Sequence, residues 1–164
     1  MKRGKLNAQA GATLIEIMVA AMLLAGFFAS IFELNAVCLR YIDASKESVA
    51  ALQTVHDRCE TLRNLAFTDL TSTSYVQSLL AAPPNASDFC RKVTEVIKVS
   101  AYPTPNGITQ FTRSPNGTVT TNSTAADLGT SLVQIDVSTS CNMTLGGRGL
   151  SEQTTTLVSN GTKK

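Results

Sequence analysis

The sequence predicts an α+β chain in which one long N-terminal helix packs on a roughly four-stranded antiparallel sheet. Three observations carry that expectation. Residues 12–32 form an apolar run long enough to span a membrane. The helical pattern then continues with no Pro or Gly as far as Phe67. From Val93 onward the apolar period drops from helical to two, and Gly, Pro and Asn separate the alternating stretches. The expected organisation is a basic leader at 1–11, an apolar half-helix at 12–32, an amphipathic half-helix at 33–66 and a small β-rich head at 67–164.

The leader, MKRGKLNAQAG, holds Lys2, Arg3 and Lys5 and no acid, which orients the N-terminus toward the cytoplasm. The apolar run is longer than the roughly 7–15 residues of a secretory signal, and no A-x-A-like cleavage site follows it. A plain anchor suits the length but leaves Glu16 unexplained. A charge in a spanning segment costs about 2.5–3.5 kcal/mol when central, less near an end, and usually marks function.

At 100° per residue, Leu34, Val37, Cys38, Tyr41, Leu52, Val55, Cys59, Leu62 and Ala66 fall on one side of the continuing helix. Arg40, Asp43, Lys46, Glu47, Asp57, Arg58 and Glu60 fall on the other. One helix of about 50 residues from Ala12 to near Asn64 is therefore expected, and its stripe needs a partner from the rest of the chain. Gly26 is the only helix-weakening residue of the apolar half, suited to close helix–helix approach.

Residues 68–92 read as a connecting segment with a short helical stretch at Val76–Ala82. VTEVIKVSAY, the turn PTPNG and ITQFTR read as a hairpin of Val93–Tyr102 with Ile108–Arg113. SPNG makes another turn, and Thr118–Leu128 is too polar to assign. In SLVQIDVSTSC, Val133, Ile135 and Val137 alternate with polar residues as a half-buried strand. The turn Gly146–Gly149 leads to a last strand, Ser151–Ser159.

Gly11-Ala12-Thr13-Leu14-Ile15-Glu16 resembles the processing site of type IV prepilins and pseudopilins, in which a basic leader ends in Gly and a T/S-L-I/V-E sequence opens a long apolar helix. The first mature residue is most often Phe in that family; here it is Ala12. The closing hairpin is similar to that of some minor pilins. The resemblance implies a pilin-like fold and a non-enzymatic structural subunit, a minor pilin or pseudopilin of a type IV pilus or type II secretion pseudopilus. It implies cleavage between Gly11 and Ala12 by a prepilin peptidase and N-methylation of Ala12. Glu16 would be the assembly residue, neutralising the Ala12 amine of a neighbour. The implied partners are other pilin or pseudopilin subunits, the peptidase and the pilus assembly platform. The implied location is the inner membrane, with the head periplasmic, and then the filament. Loss of the leader would change the formal net charge from +2 to −1. The competing expectation is a single-pass, inner-membrane-anchored periplasmic binding domain that never assembles.

Other residues suggest no enzyme, cofactor or metal. His56, the sole histidine, reads as a surface or boundary residue without a Ser or Cys partner at catalytic spacing. Phosphate-loop, nucleophile-elbow and zinc-helix motifs do not occur. No basic patch speaks for nucleic acid. Sequons at Asn85, Asn116, Asn122, Asn142 and Asn160 arise readily in a chain so rich in Ser, Thr and Asn. Among the four cysteines, Cys38 and Cys59 on one helix would lie roughly 30 Å apart, beyond the reach of about 7 Å that a disulfide allows. Cys59–Cys90 is the favoured candidate disulfide, because both lie near the point where the chain leaves the helix. Cys141 is an alternative partner for either, and Cys38 is expected to stay free.

Overall fold

The computed structural model describes residues 13–143 and 147–161 and divides into two units, residues 1–41 and 42–164. Helix α1 runs over Leu14–Arg63, within two residues of the expected bounds at both ends. In the first unit it is apolar on all sides, and its residues are exposed.

In the second unit the buried residues of α1 are Ala44, Ala51, Thr54, Val55, Arg58, Cys59 and Leu62. This corrects the expected stripe. Leu52 is 54% exposed, Ala66 is exposed and lies past the helix end, and Arg58, placed by periodicity on the solvent side, is 1% exposed. The polar connecting segment folds into two short helices, α2 (Phe67–Thr71) and α3 (Thr73–Ala81), which bury Leu70, Val76 and Leu80. Pro83-Pro84 follows, where neither residue can donate to a continuing helix.

The sheet has five strands: β1 (Thr94–Ala101), β2 (Ile108–Arg113), β3 (Val119–Ser123), β4 (Leu132–Asn142) and β5 (Gly149–Ser159). All pairings are antiparallel, in the order β3-β2-β1-β4-β5. The strand beyond the expected four is β3, which lies in the stretch left unassigned. An edge strand can be built from polar residues because its pairing is carried by the backbone and its side chains need little burial. The turn before it demands Gly117 at φ +84, and the β1–β2 turn demands Gly107 at φ +92, where a Cβ would also press on Ala125.

Alternation places Ile97 and Val99 of β1, Phe111 of β2 and Val133, Ile135 and Val137 of β4 on one sheet face. With Val55, Cys59 and Leu62 of α1, and with Leu70, Val76 and Leu80, they form a single apolar cluster. The core thus lies between the sheet and residues 44–62 of α1.

Candidate functional site

Leu14, Ile15, Met22, Leu23 and Phe32 are each more than 70% or close to 70% exposed, and eight further large apolar residues between Ile17 and Leu34 stand largely in the open. Fully burying such a side chain gains about 1.5–3 kcal/mol, so a dozen of them gain on the order of 20 kcal/mol on leaving water. That is several times the cost of taking one carboxylate along. This helix is long and apolar enough to cross a membrane. Within the segment the Ser30 hydroxyl donates to the Gly26 carbonyl at 2.9 Å. The helix passes through Gly26 without a break, and a Cβ there would touch nothing in this chain. Its small size is therefore not required by the fold of this chain.

Glu16 stands in the first turn of α1, its amide donating to the Thr13 carbonyl at 3.0 Å. The unsatisfied amides at a helix start favour a carboxylate there. It is flanked by Ile15, Val19, Ala20 and Leu23 on one exposed face. Gly11 and Ala12 lie outside the described residues.

The second unit holds a buried ionic cluster that the sequence reading missed. Glu95 of β1 and Arg58 of α1 meet at 3.0 Å (Nη2 to Oε2) and 3.3 Å (Nε to Oε1). Arg113 of β2, directly across from Glu95 in the register, approaches it at 3.6 Å. Arg58 also donates to the Ala82 carbonyl at 2.7 Å, and Arg113 to the Cys90 carbonyl at 3.0 Å. Two cations on one anion, all nearly solvent-free, tie α1, β1, β2 and the connecting segment together. The signal was present in the alternation: Glu95 shares parity with Ile97 and Val99, and Arg113 with Phe111, so both had to point inward. Thr139, opposite Glu95 on β4, completes the polar row.

The thiols correct the favoured pairing, since all four cysteines are free. Cys90 is held elsewhere: it donates to Asn85 Oδ1 at 2.8 Å, accepts from Ser87 Oγ at 3.3 Å and lies 3.1 Å from Thr54 Oγ1. Asn85 in turn donates to Asp57 at 2.6 Å. Cys59 comes five residues after Thr54, about 140° further around the helix, and bonds Thr156 of β5. Cys90 and Cys59 therefore sit on opposite flanks of α1. Cys141 is no better placed for Cys59, because it lies by Glu47, some 18 Å along the helix from it. Cys38 and Cys59 share α1, as the distance argument assumed.

Burial, helped by Glu60, pushes the Cys59 thiol up; burial and then Glu47 do the same for Cys141. Folding thus favours the neutral thiols. Their contribution to stability is complete below the ordinary thiol value of 9.0 and is lost as pH rises past it. In a timed alkylation of the folded chain at pH 8 followed by peptide mass analysis, the exposed Cys38 is expected to react first and Cys59 and Cys90 last. Equal rates at all four positions would contradict this burial pattern.

His56 is exposed. Among the described residues no three His, Cys, Asp or Glu side chains gather where they could hold a metal. A cleft of about 420 Å³ at the end of α1 is lined by Arg63, Asn64, Phe67 and Asn160 among others, without a nucleophile–base pair. Comparison with protein-family models, curated proteins and solved structures finds no match to this chain.

Proposed function

We propose that this chain is a minor pilin or pseudopilin, a structural subunit of a type IV pilus or type II secretion pseudopilus. Prepilin peptidase cleaves it between Gly11 and Ala12, and the new N-terminus at Ala12 is methylated. The observation that carries this reading is Glu16, standing in the first turn of a helix whose surface is otherwise apolar and exposed for some twenty residues. A lone anchor gains from that carboxylate only the modest attraction of the first-turn amides. A bundle of such helices does, because a charge in a water-excluding core must be paired, and pairing Glu16 with the Ala12 amine of a neighbour sets the axial register between subunits. The α+β head on the second half of the helix is the coarse layout expected of this family.

The mature mass tests processing: loss of residues 1–11 plus one methyl group is expected, and a retained leader would sink the proposal. Glu16→Ala tests assembly. The variant is expected to insert in the membrane as the wild type does while its incorporation into filaments falls at least tenfold, read by fractionating sheared filaments from cells. Incorporation at the wild-type level would overturn the role given to Glu16.

A further inference from the structure

The two edges of the sheet differ in kind. At one edge, β3 has only five residues, and a register shift at Gln110/Phe111 interrupts its pairing with β2. Gln77 of α3 covers it further by donating to the Val119 carbonyl at 3.3 Å. Short length, irregularity and a covering helix are the usual means of closing an edge to other chains. At the other edge, β5 has eleven residues in unbroken register with β4, from Leu132↔Ser159 to Asn142↔Gly149. It contains no Pro and one charged side chain, Glu152. Among the described residues no strand of the sheet lies beyond it.

Helix α1 lies over this side of the sheet. Cys59 bonds Thr156, and Glu47 lies by Cys141, whose partner on β5 is Leu150. Between those two points α1 passes over the β4–β5 side of the sheet. Arg58 and Thr54 mark the flank of α1 toward β1 and Cys90. Cys59 marks the flank toward β5. Continuing around in that direction come Leu52 and then Val49, 54% and 61% exposed. Leu52, about 80° around from the core-facing Leu62, borders the position that a strand beyond β5 would take, whereas Val49 faces away from the sheet. On the inner row of β5, Glu152, Thr154 and Thr156 are only half covered.

Glu152 indicates what belongs there. It points to the helix side of the sheet, half-buried, and is in no ion pair among the described residues; Thr139 of β4 lies directly across from it. A half-buried carboxylate gains most from a cation delivered with the incoming strand. A second copy of β5 cannot supply one, since its only charge is another Glu152. We propose that β5 accepts a sixth strand, antiparallel like the rest, from a different polypeptide. Its inner row carries β-branched apolar residues against Leu52 and a Lys or Arg against Glu152, and its outer row is polar. Backbone hydrogen bonds along β5 supply affinity, and the inner row supplies selectivity.

The test uses the full chain in detergent micelles and two peptides of the length of β5, each alternating Thr with Val. One carries a central Lys on the Val row, the other a Glu. Fluorescence anisotropy measures binding, and amide exchange measures protection of residues 149–159. The Lys peptide is expected to bind the wild type at least about tenfold more tightly than the Glu peptide and to slow exchange in β5. Glu152→Lys is expected to reverse that preference. Leu52→Gln is expected to weaken both peptides several-fold, with the circular dichroism of each variant unchanged. Equal binding of the two peptides, or none, overturns the proposal. So does β5 protection that grows with protein concentration alone, which would assign the edge to a second copy. The experiment reads residues 42–164, so its failure would leave the role of Glu16 untouched.

Discussion

Glu95→Ala is expected to cost the head about 3–5 kcal/mol, a large part of the 5–15 kcal/mol that holds a typical domain. The wild-type cluster has one anion for two guanidinium groups, and Glu95 is the only counterion within it. Removing it leaves Arg58 and Arg113, 1% and 2% exposed, as like charges in a water-poor interior. Neither can reach solvent without breaking its bond to the Ala82 or Cys90 carbonyl. Glu95→Gln keeps the shape and one acceptor and should lose less, though still more than 2 kcal/mol, because the uncompensated charge remains. The triple variant Arg58→Met, Glu95→Leu, Arg113→Met serves as the control. Replacing a whole buried ionic cluster with apolar groups is often neutral or stabilising, so it should recover most of the loss. Urea unfolding followed by circular dichroism gives all three values. A loss under about 1 kcal/mol for Glu95→Ala would show that the cluster is not the clamp between α1 and the sheet.

The same cluster shows where the sequence was legible and where it was not. Apolar periodicity located α1, β1, β2 and β4, because burial of one face selects residues at a fixed spacing, and the Gly-rich turn located β5. It failed for Arg58, since a charged residue was taken to face water, although position 58 lies only about 20° around the helix from the buried Ala51, at the edge of the arc spanned by Ala51, Leu62 and Val55. Strand alternation was the better guide: Glu95 and Arg113 share the parity of buried neighbours, and reading them as inward would have called for a cation from the helix. Leu52 failed in the opposite sense. The apolar arc of α1 is wider than the sheet covers, and no property of Leu52 itself announces how far the sheet extends. β3 and α2 carry too few apolar residues to show any period, and their existence depends on backbone pairing and on Leu70. The polar cradle of Cys90 joins residues 54, 85, 87 and 90 through the course of the connecting segment, which spacing does not encode. Of the N-terminal site, Glu16 was legible because a charge inside an apolar run is conspicuous without any knowledge of the fold.

Phe111→Ala is expected to lower the thermal midpoint of the head by roughly 15 °C. Phe111 is the largest apolar side chain that is fully buried, and it sits where two layers of the core meet. Its strand partner is Ile97, which in turn pairs with Val137, and Val76 and Leu80 of α3 belong to the same cluster. Truncation there removes the transfer free energy of the ring and leaves a cavity that strands held in register cannot close, together about 3–5 kcal/mol. At around 4 °C per kcal/mol for a unit of this size, that gives the stated shift. Phe111→Leu, which fills much of the volume, should lose less than half as much. Phe27→Ala is the decisive contrast. Phe27 is 62% exposed and packs edge-to-face only on Phe28, in the first unit. Its removal should leave the unfolding of residues 42–164 unchanged and act, if the helix works in a filament, on assembly alone. Differential scanning calorimetry of the three variants separates the cases. Equal midpoints for Phe111→Ala and Phe27→Ala would mean that burial in this core is not what stabilises the head.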